Sequence, residues 1–333
     1  MNPYNSAMTT LIDSFGRSID YVRVSVTDRC DLRCGYCMPR QFHDFHEPEE
    51  WLTFDEIKRV MSAFARLGTR RIRLTGGEPL VRKDLPLLAQ RLSAIPGIED
   101  LSLSTNATRL DKHAVDLRAA GISRLNISLD SLNAETFKEI TGGKLEKVLT
   151  GIRAASAAGF RPIKINMVLM KGVNDHEVED MVSFCIKHSL TLRFIETMPI
   201  GDTGRAATEK YIDLSDIRKK LEQKFDLIPG VMPGGGPARY LQVAGTKINI
   251  GFITPISQHF CATCNRVRLS VDGTLYTCLG QEHNVPLRPL LRAGIDDEGL
   301  TQAIIGAIRL KPERHEFKEK PDQVLRFMSY TGG

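Results

Sequence analysis

The stretch Arg124-Leu-Asn-Ile-Ser-Leu-Asp130 alternates polar and apolar residues over its whole length. Successive side chains of a strand point to opposite faces, so Asn126, Ser128 and Asp130 share one face and Leu125, Ile127 and Leu129 the other. The same split recurs in Leu101-Ser-Leu-Ser-Thr-Asn106 and in Arg71-Ile-Arg-Leu-Thr75, where Arg71 and Arg73 oppose Ile72 and Leu74. It returns with Lys164 and Asn166 against Ile163, Ile165 and Met167, and with Arg193 against Leu192 and Phe194. Strands of an open parallel sheet, covered by helices on both sides, read apolar on both faces. These read apolar on one, so the polar faces converge on a lumen holding Arg71, Arg73, Lys164 and Arg193. Cations gathered in a concave, poorly solvated space are costly unless anions or water compensate, and the natural compensator is a polyanionic ligand; the alternative is that one or more of these strands lie at an edge with their cations solvated.

Outward from these strands the chain keeps one rhythm. Strands are expected at Tyr21–Val26, Arg71–Thr75, Leu101–Thr105, Arg124–Leu129, Pro162–Leu169 and Leu192–Thr197. Helical periodicity lies between them at Phe54–Leu67, Asp111–Ala120, Val148–Ala158 and Asp175–Lys187, and Gly68, Gly121 and Gly159 close three of these segments. A serial βα pattern implies a parallel sheet wound by right-handed crossovers, either open or curled into a full or partial barrel. The Pro/Gly-rich segment Ile228–Pro237 reads as a linker. Beyond it strands are expected near Lys247–Ile253, Arg266–Val271 and Thr274–Tyr276, with helices near Leu287–Arg292 and Leu300–Ile308. Residues 15–230 and 238–333 are thus expected as two domains.

Composition narrows the class further. With 333 residues, 42% hydrophobic and 26% charged, the chain is not disordered. No apolar run approaches the roughly 18 residues needed to span a bilayer, and Met1 to Ile12 lacks the order of a signal peptide, so a cytoplasmic location is expected. Lys+Arg exceed Asp+Glu by 45 to 40, a net charge of +5 that permits an anionic ligand without demanding nucleic acid.

Six of the seven cysteines form two tight sets, Cys30, Cys34, Cys37 and Cys261, Cys264, Cys278. In a reducing compartment such spacing points to metal or cluster ligation rather than disulfides. The first set follows the first strand, where parallel-sheet proteins place ligands. Three thiolates can hold three corners of an iron–sulfur cube and leave one iron open; a zinc site or buried thiols are the alternatives. In the second set His259 stands two residues before Cys261 and could complete a Cys3His zinc site. The neighbouring Arg266-Val-Arg268 argues instead for a centre open to an anion. Cys185, in helical register with Met181 and Val182, reads as packing.

The loop Cys30-Asp-Leu-Arg-Cys34-Gly-Tyr-Cys37, with Tyr36 before its last cysteine, resembles that of the radical S-adenosylmethionine superfamily. Gly76-Gly77-Glu78-Pro79 resembles that superfamily's S-adenosylmethionine-binding turn. With the second cysteine set, Arg266-x-Arg268 and the terminal Gly332-Gly333, the sequence from about Phe15 to Gly333 is similar to the GTP 3′,8-cyclase family of molybdenum-cofactor biosynthesis. The resemblance implies an α/β fold: a partial (β/α)6, TIM-like barrel with a smaller α+β C-terminal domain carrying a second [4Fe–4S] cluster. It implies that Cys30, Cys34 and Cys37 hold the cluster that cleaves S-adenosylmethionine, and Cys261, Cys264 and Cys278 a cluster near the purine. Tyr36, Gly77, Ser128 and Met198 match positions contacting S-adenosylmethionine; Arg23, Arg73, Ser104, Lys164, Arg193, Arg266 and Arg268 match positions around GTP. The implied chemistry is abstraction of the ribose C3′ hydrogen by a 5′-deoxyadenosyl radical and closure of C3′ onto guanine C8. The Gly332-Gly333 tail is implied to reach the active site and assist. A homodimer, an electron-donor protein of unknown identity and hand-off to cyclic pyranopterin monophosphate synthase are implied as partners, without membrane or nucleic acid. The departures are Ser104 where Thr is frequent, Ala107 where Gly is frequent and Arg71 where Lys is common.

Two rival readings predict different details. A peptide-modifying radical S-adenosylmethionine enzyme with an auxiliary cluster would carry more C-terminal cysteines and have less use for a cationic lumen. A zinc-stabilised nucleic-acid-binding protein would spread its basic residues along an exposed stripe rather than on alternating strand positions.

Overall fold

The computed structural model describes residues 10–232 and 234–332. Residues 1–9 of the amino-terminal stretch, Pro233 of the expected linker and Gly333 of the terminal pair lie outside them. The strands are β1 (Tyr21–Ser25), β2 (Arg71–Thr75), β3 (Asp100–Thr105), β4 (Arg124–Ser128), β5 (Ile163–Val168), β6 (Thr191–Ile195), β7 (Leu227–Gly230), β8 (Arg239–Val243), β9 (Asn249–Ile253), β10 (Arg266–Leu269), β11 (Thr274–Tyr276) and β12 (Asn284–Pro286). They form one sheet in the order β12-β11-β10-β1-β2-β3-β4-β5-β6-β9-β8-β7. Strands β1 to β6 run parallel to their neighbours, as right-handed βα winding requires.

The apolar faces form a core against the helices. Ile72, Leu74, Leu103, Leu125, Ile127 and Ile165 are fully or almost fully buried. They belong to one cluster with the helical residues Met61, Phe64, Leu117 and Val148. The helix Phe54–Arg66 starts at a capping box, in which Thr53 Oγ1 accepts from the Glu56 amide at 3.1 Å and the Glu56 carboxylate accepts from the Thr53 amide at 2.7 Å. Gly121, at φ 95°, follows the helix Leu110–Ala119 where the chain must turn left-handed. Cys185 is fully buried in the core.

Sequence expectation and structure differ beyond β6, where the unexpected strands β8 and β12 also appear. The start of the expected linker, Ile228–Gly230, belongs to strand β7, which pairs antiparallel with β8. Pro229 is tolerated because β7 ends the sheet, and an edge strand can spare one amide donor. The strands after the linker also join both ends of the barrel sheet. Strand β9 pairs parallel with β6, and β10 pairs parallel with β1, so the C-terminal segment flanks the barrel strands on two sides.

A tight approach fixes the helix Leu145–Ala157 to the loop after β3. A Cβ on Gly151 would lie 2.1 Å from the Ala107 carbonyl oxygen. Ala107 itself holds φ 62°, a conformation natural to glycine, which is the physical reason glycine suits this position better than the alanine found here. Gly151→Ala is expected to lower unfolding free energy by about 1–3 kcal/mol through overpacking, read as a lower midpoint in urea denaturation.

Candidate active site

Register carries the polar residues to a common place. Residues paired across adjacent strands share a face, and Arg268, Arg23, Arg73 and Ser102 are paired in turn across β10, β1, β2 and β3. Ser104, Asn126 and Lys164 make a second row, and Ser128, Asn166, Arg193 and Gly251 a third. A single chamber results. It is lined by both cysteine sets, by Gly76 and Gly77, and by Tyr36, Ser104, Ser128 and Met198, together with Arg23, Arg73, Arg193, Arg266 and Arg268.

The arginines define its electrostatics. Arg23, Arg73, Arg193 and Arg268 are each at most 9% exposed. The Nε atoms of Arg23, Arg73, Arg193 and Arg266 are buried without a hydrogen-bond partner among the described residues. Burial, with Arg73 nearby, pushes Arg193 down to about 10. Burial and the adjacent Arg266 push Arg268 to about 9, and burial with Arg268 and Arg73 pushes Arg23 well below its ordinary value. Lys164 shares the face but is not among the lining residues; its ammonium lies 5.8 Å from the centre of the Tyr240 ring. Burial, followed by Arg193 and Arg124, pushes Lys164 down to about 7. Arg71 departs from the expected lumen set. It pairs with Asp20, so its charge is already met and it does not line the chamber.

Backbone geometry shapes both thiol sets. The first loop is held by the Arg33 amide on the Thr141 carbonyl at 2.8 Å and the Gly35 amide on the Ile140 carbonyl at 2.9 Å. Burial pushes Cys37 up to about 12, and burial with Asp130 raises Cys34 strongly. Three free, half-buried thiols whose pKa values are raised keep their protons until a metal centre replaces them, and three soft sulfur donors fit an iron–sulfur cluster. The second set differs in its charge. Burial raises the Cys264 thiol, but Lys311 and Arg266 outweigh it and hold Cys264 at about 7. This set offers three sulfur donors as well, with the Lys311 ammonium 3.6 Å from that of Cys264. His259 lies with Cys261 and His315, their ligand atoms all within 4.8 Å of one another.

The Gly76-Gly77 turn is glycine for steric reasons. A Cβ on Gly76 would lie 2.1 Å from the Thr27 carbonyl oxygen, and one on Gly77 2.3 Å from that of Arg29. Glu78 completes the turn by accepting from Thr105 Oγ1 at 2.7 Å, the Asn106 amide at 2.6 Å and the Leu80 amide at 3.0 Å. Tyr36 donates to Asp130 at 2.7 Å, and the Val168 amide donates to the other Asp130 oxygen at 2.9 Å. Burial pushes Asp130 up to about 6. Glu78 and Asp130 were not singled out as site residues from sequence; the signal was their place at the ends of strands carrying the polar stripe.

The carboxyl-terminal turn enters the same space. Arg268 donates to the carbonyls of Gly332 and Thr331, and Ser329 and Thr331 are buried. At φ 73°, Gly332 packs so tightly that an added Cβ would lie 2.3 Å from the Thr75 side chain.

A parallel sheet with a three-cysteine loop after β1 and a Gly-Gly turn after β2 is the arrangement of the radical S-adenosylmethionine class. The Radical SAM superfamily model matches residues 24–185, and the Molybdenum Cofactor Synthesis C model matches residues 190–317. The crystal structure of Streptococcus suis SuiB bound to S-adenosylmethionine superposes with a TM-score of 0.61 at 17% identity, over 88% of this chain and 69% of that one, a likeness of fold. The GTP 3′,8-cyclase of Hydrogenovibrio crunogenus is 49% identical over 329 residues, 97% of this chain and 99% of that protein. GTP 3′,8-cyclase 1 of Pseudomonas aeruginosa is 49% identical over 330 residues, 98% of this chain and 100% of that protein. The chain belongs to the GTP 3′,8-cyclase family.

The clamp of Arg268 on the terminal turn is testable by itself. Arg268→Met removes a charged donor, a contribution of about 1.5–3 kcal/mol, so amide exchange in Met328–Gly332 is expected to speed up at least about tenfold, read by hydrogen-exchange mass spectrometry.

Proposed function

We propose that this chain is a radical S-adenosylmethionine lyase that converts GTP to (8S)-3′,8-cyclo-7,8-dihydroguanosine 5′-triphosphate, the first step of molybdenum-cofactor biosynthesis. The observation that carries this reading is the set of five arginines lining one chamber, four of them with buried Nε donors that have no partner among the described residues. A triphosphate is the anion that meets several guanidiniums at once, through paired N–H···O contacts.

In this reading residues 15–230 carry the S-adenosylmethionine site and 238–333 the purine side. Cys30, Cys34 and Cys37 hold one [4Fe–4S] cluster, and Cys261, Cys264 and Cys278 a second. When bound, the first cluster and S-adenosylmethionine supply the 5′-deoxyadenosyl radical that takes the C3′ hydrogen. Tyr36, Gly77, Ser128 and Met198 line the S-adenosylmethionine end. Arg23, Arg73, Ser104, Lys164, Arg193, Arg266 and Arg268 hold GTP, so that the sugar is fixed by its phosphates while the chamber excludes water. Arg268 acts from two sides, since it also anchors the terminal turn. A homodimer, a cytoplasmic setting, an electron-donor protein and delivery of product to cyclic pyranopterin monophosphate synthase complete the proposal. Among the described residues no helix is long and apolar enough to cross a membrane.

The test is anaerobic reconstitution with iron and sulfide, followed by dithionite, S-adenosylmethionine and GTP. GTP-stimulated 5′-deoxyadenosine together with cyclised, reduced GTP in the mass spectrum is the expected outcome; deoxyadenosine without any change in GTP would remove the substrate assignment. Cys34→Ala is expected to abolish deoxyadenosine and to lose about four iron atoms per chain.

Lys164 makes GTP binding pH-dependent. Its free-state pKa of about 7 leaves it largely neutral at pH 8, whereas a bound phosphate favours the ammonium. Binding above pH 7 therefore takes up a proton, and Kd is expected to rise up to about tenfold per pH unit from pH 7 to 8.5. Calorimetry in buffers of different ionisation enthalpy reads that proton, and Lys164→Met is expected to remove this component.

A further inference from the structure

Lys311 is 3% exposed and uses every proton of its ammonium inside the protein. Nζ donates to the Thr277 carbonyl at 2.7 Å, to the Arg266 carbonyl at 3.0 Å and to Cys264 Sγ at 3.6 Å. Neutral carbonyls satisfy its hydrogen bonds but not its charge, and the Cys264 sulfur is the one acceptor of the three able to become an anion. A buried ammonium without a carboxylate is costly unless such an anion is present. With three donors engaged, Lys311 also has none left for a triphosphate, which separates it from Lys164.

Its position within the chain strengthens the point. Thr277 immediately precedes Cys278, and Arg266 stands two residues after Cys264, so one ammonium ties the backbone beside two of the three sulfur donors. Arg17 performs the matching task for the third. Its Nη1 donates to the Cys261 carbonyl at 2.9 Å and to the Glu313 carbonyl at 2.6 Å, and Nη2 to the Pro312 carbonyl at 2.6 Å. The segment 311–313 therefore braces the whole second set. In the first set Arg33 Nη1 likewise holds the Cys30 carbonyl at 2.6 Å, but the donors to the Cys30 sulfur among the described residues are neutral, the Leu32 amide at 3.4 Å and Asn106 Nδ2 at 3.8 Å.

We propose that Lys311 is a positioning residue that supplies the permanent counter-charge of the second cysteine set, favouring the more negative, reduced state of the cluster held there and so raising its reduction potential relative to a neutral residue at 311. This rests on the reading of Cys261, Cys264 and Cys278 as cluster ligands. Reduction adds one electron to the centre, and a fixed cation at the Cys264 sulfur stabilises the added charge.

The experiment is a redox titration of the reconstituted full chain, followed by electron paramagnetic resonance, in wild type, Lys311→Met, Lys311→Gln and Lys311→Arg. It is repeated on a Cys34→Ala background, where the second centre alone reports. The expected result is a lower midpoint potential of the second centre in both neutral variants, recovery with arginine and no shift of the first centre. Selective loss of iron from the second site in the neutral variants, restored by arginine in chains of native circular dichroism, supports the same role. An unchanged potential in Lys311→Met and Lys311→Gln overturns it, as does an equal fall in Lys311→Arg. A wild-type chain that takes up only about four iron atoms would instead overturn the second-cluster reading, leaving the two failures distinguishable.

Discussion

Unpaired positive charge on the inner face of a parallel sheet is the constraint on which the rest of the site depends. Arg23, Arg73, Arg193 and Arg268 are buried where strand register puts them, and water alone is a poor partner for so many guanidiniums at that depth. Among the described residues the Nε donors of Arg23, Arg73 and Arg193 have no acceptor, so the chamber is electrostatically suited to an anion. Where a charge has only a structural task the protein pairs it, as with Arg71 on Asp20 and Arg124 on Asp100.

Two thiol sets of different character face this charge. The first is buried near Asp130 and Glu78, an environment that resists thiolate formation until a metal centre takes the protons' place. Among its neighbours, Tyr36 and Asp130 join the cysteine loop to the end of β4 by a 2.7 Å hydrogen bond, and Glu78 joins the glycine turn to the end of β3. The second set stands beside Arg266 and Lys311, which lower the Cys264 thiol to about 7. One chamber therefore offers an environment of low positive charge at one end and of high positive charge at the other, suited to two different tasks.

The carboxyl-terminal segment connects these ends. It contributes β9 and β10 to opposite sides of the barrel strands, brings Lys311 to the second set and finishes with a turn on Arg268. Glu196 secures the return path at the end of β6, accepting from the Ile256 amide at 2.8 Å, the Ser257 amide at 3.1 Å and the Tyr211 hydroxyl at 3.1 Å. The site is thus assembled from segments that lie far apart in the chain and become neighbours through sheet pairing.

The sequence by itself determined the six barrel strands to within two residues at their ends, because the period-two alternation of Leu101–Asn106 and Arg124–Asp130 is a local property of the chain. It also determined which side chains share a face, and it displayed both cysteine sets and the Gly-Gly turn through spacing alone. What it left to the tertiary structure were pairings between distant residues. Nothing local distinguishes Arg71, neutralised by Asp20, from Arg73, which lines the chamber, since both alternate on one strand. Nothing in Pro229-Gly230 announces an edge strand, because an edge is defined by the absence of a further neighbour in space. Lys311 lies 33 residues beyond Cys278, and only the closing of β10 onto β1 sets its ammonium on the Cys264 sulfur. Periodicity and spacing are written along the chain, whereas charge compensation depends on which segments fold against one another.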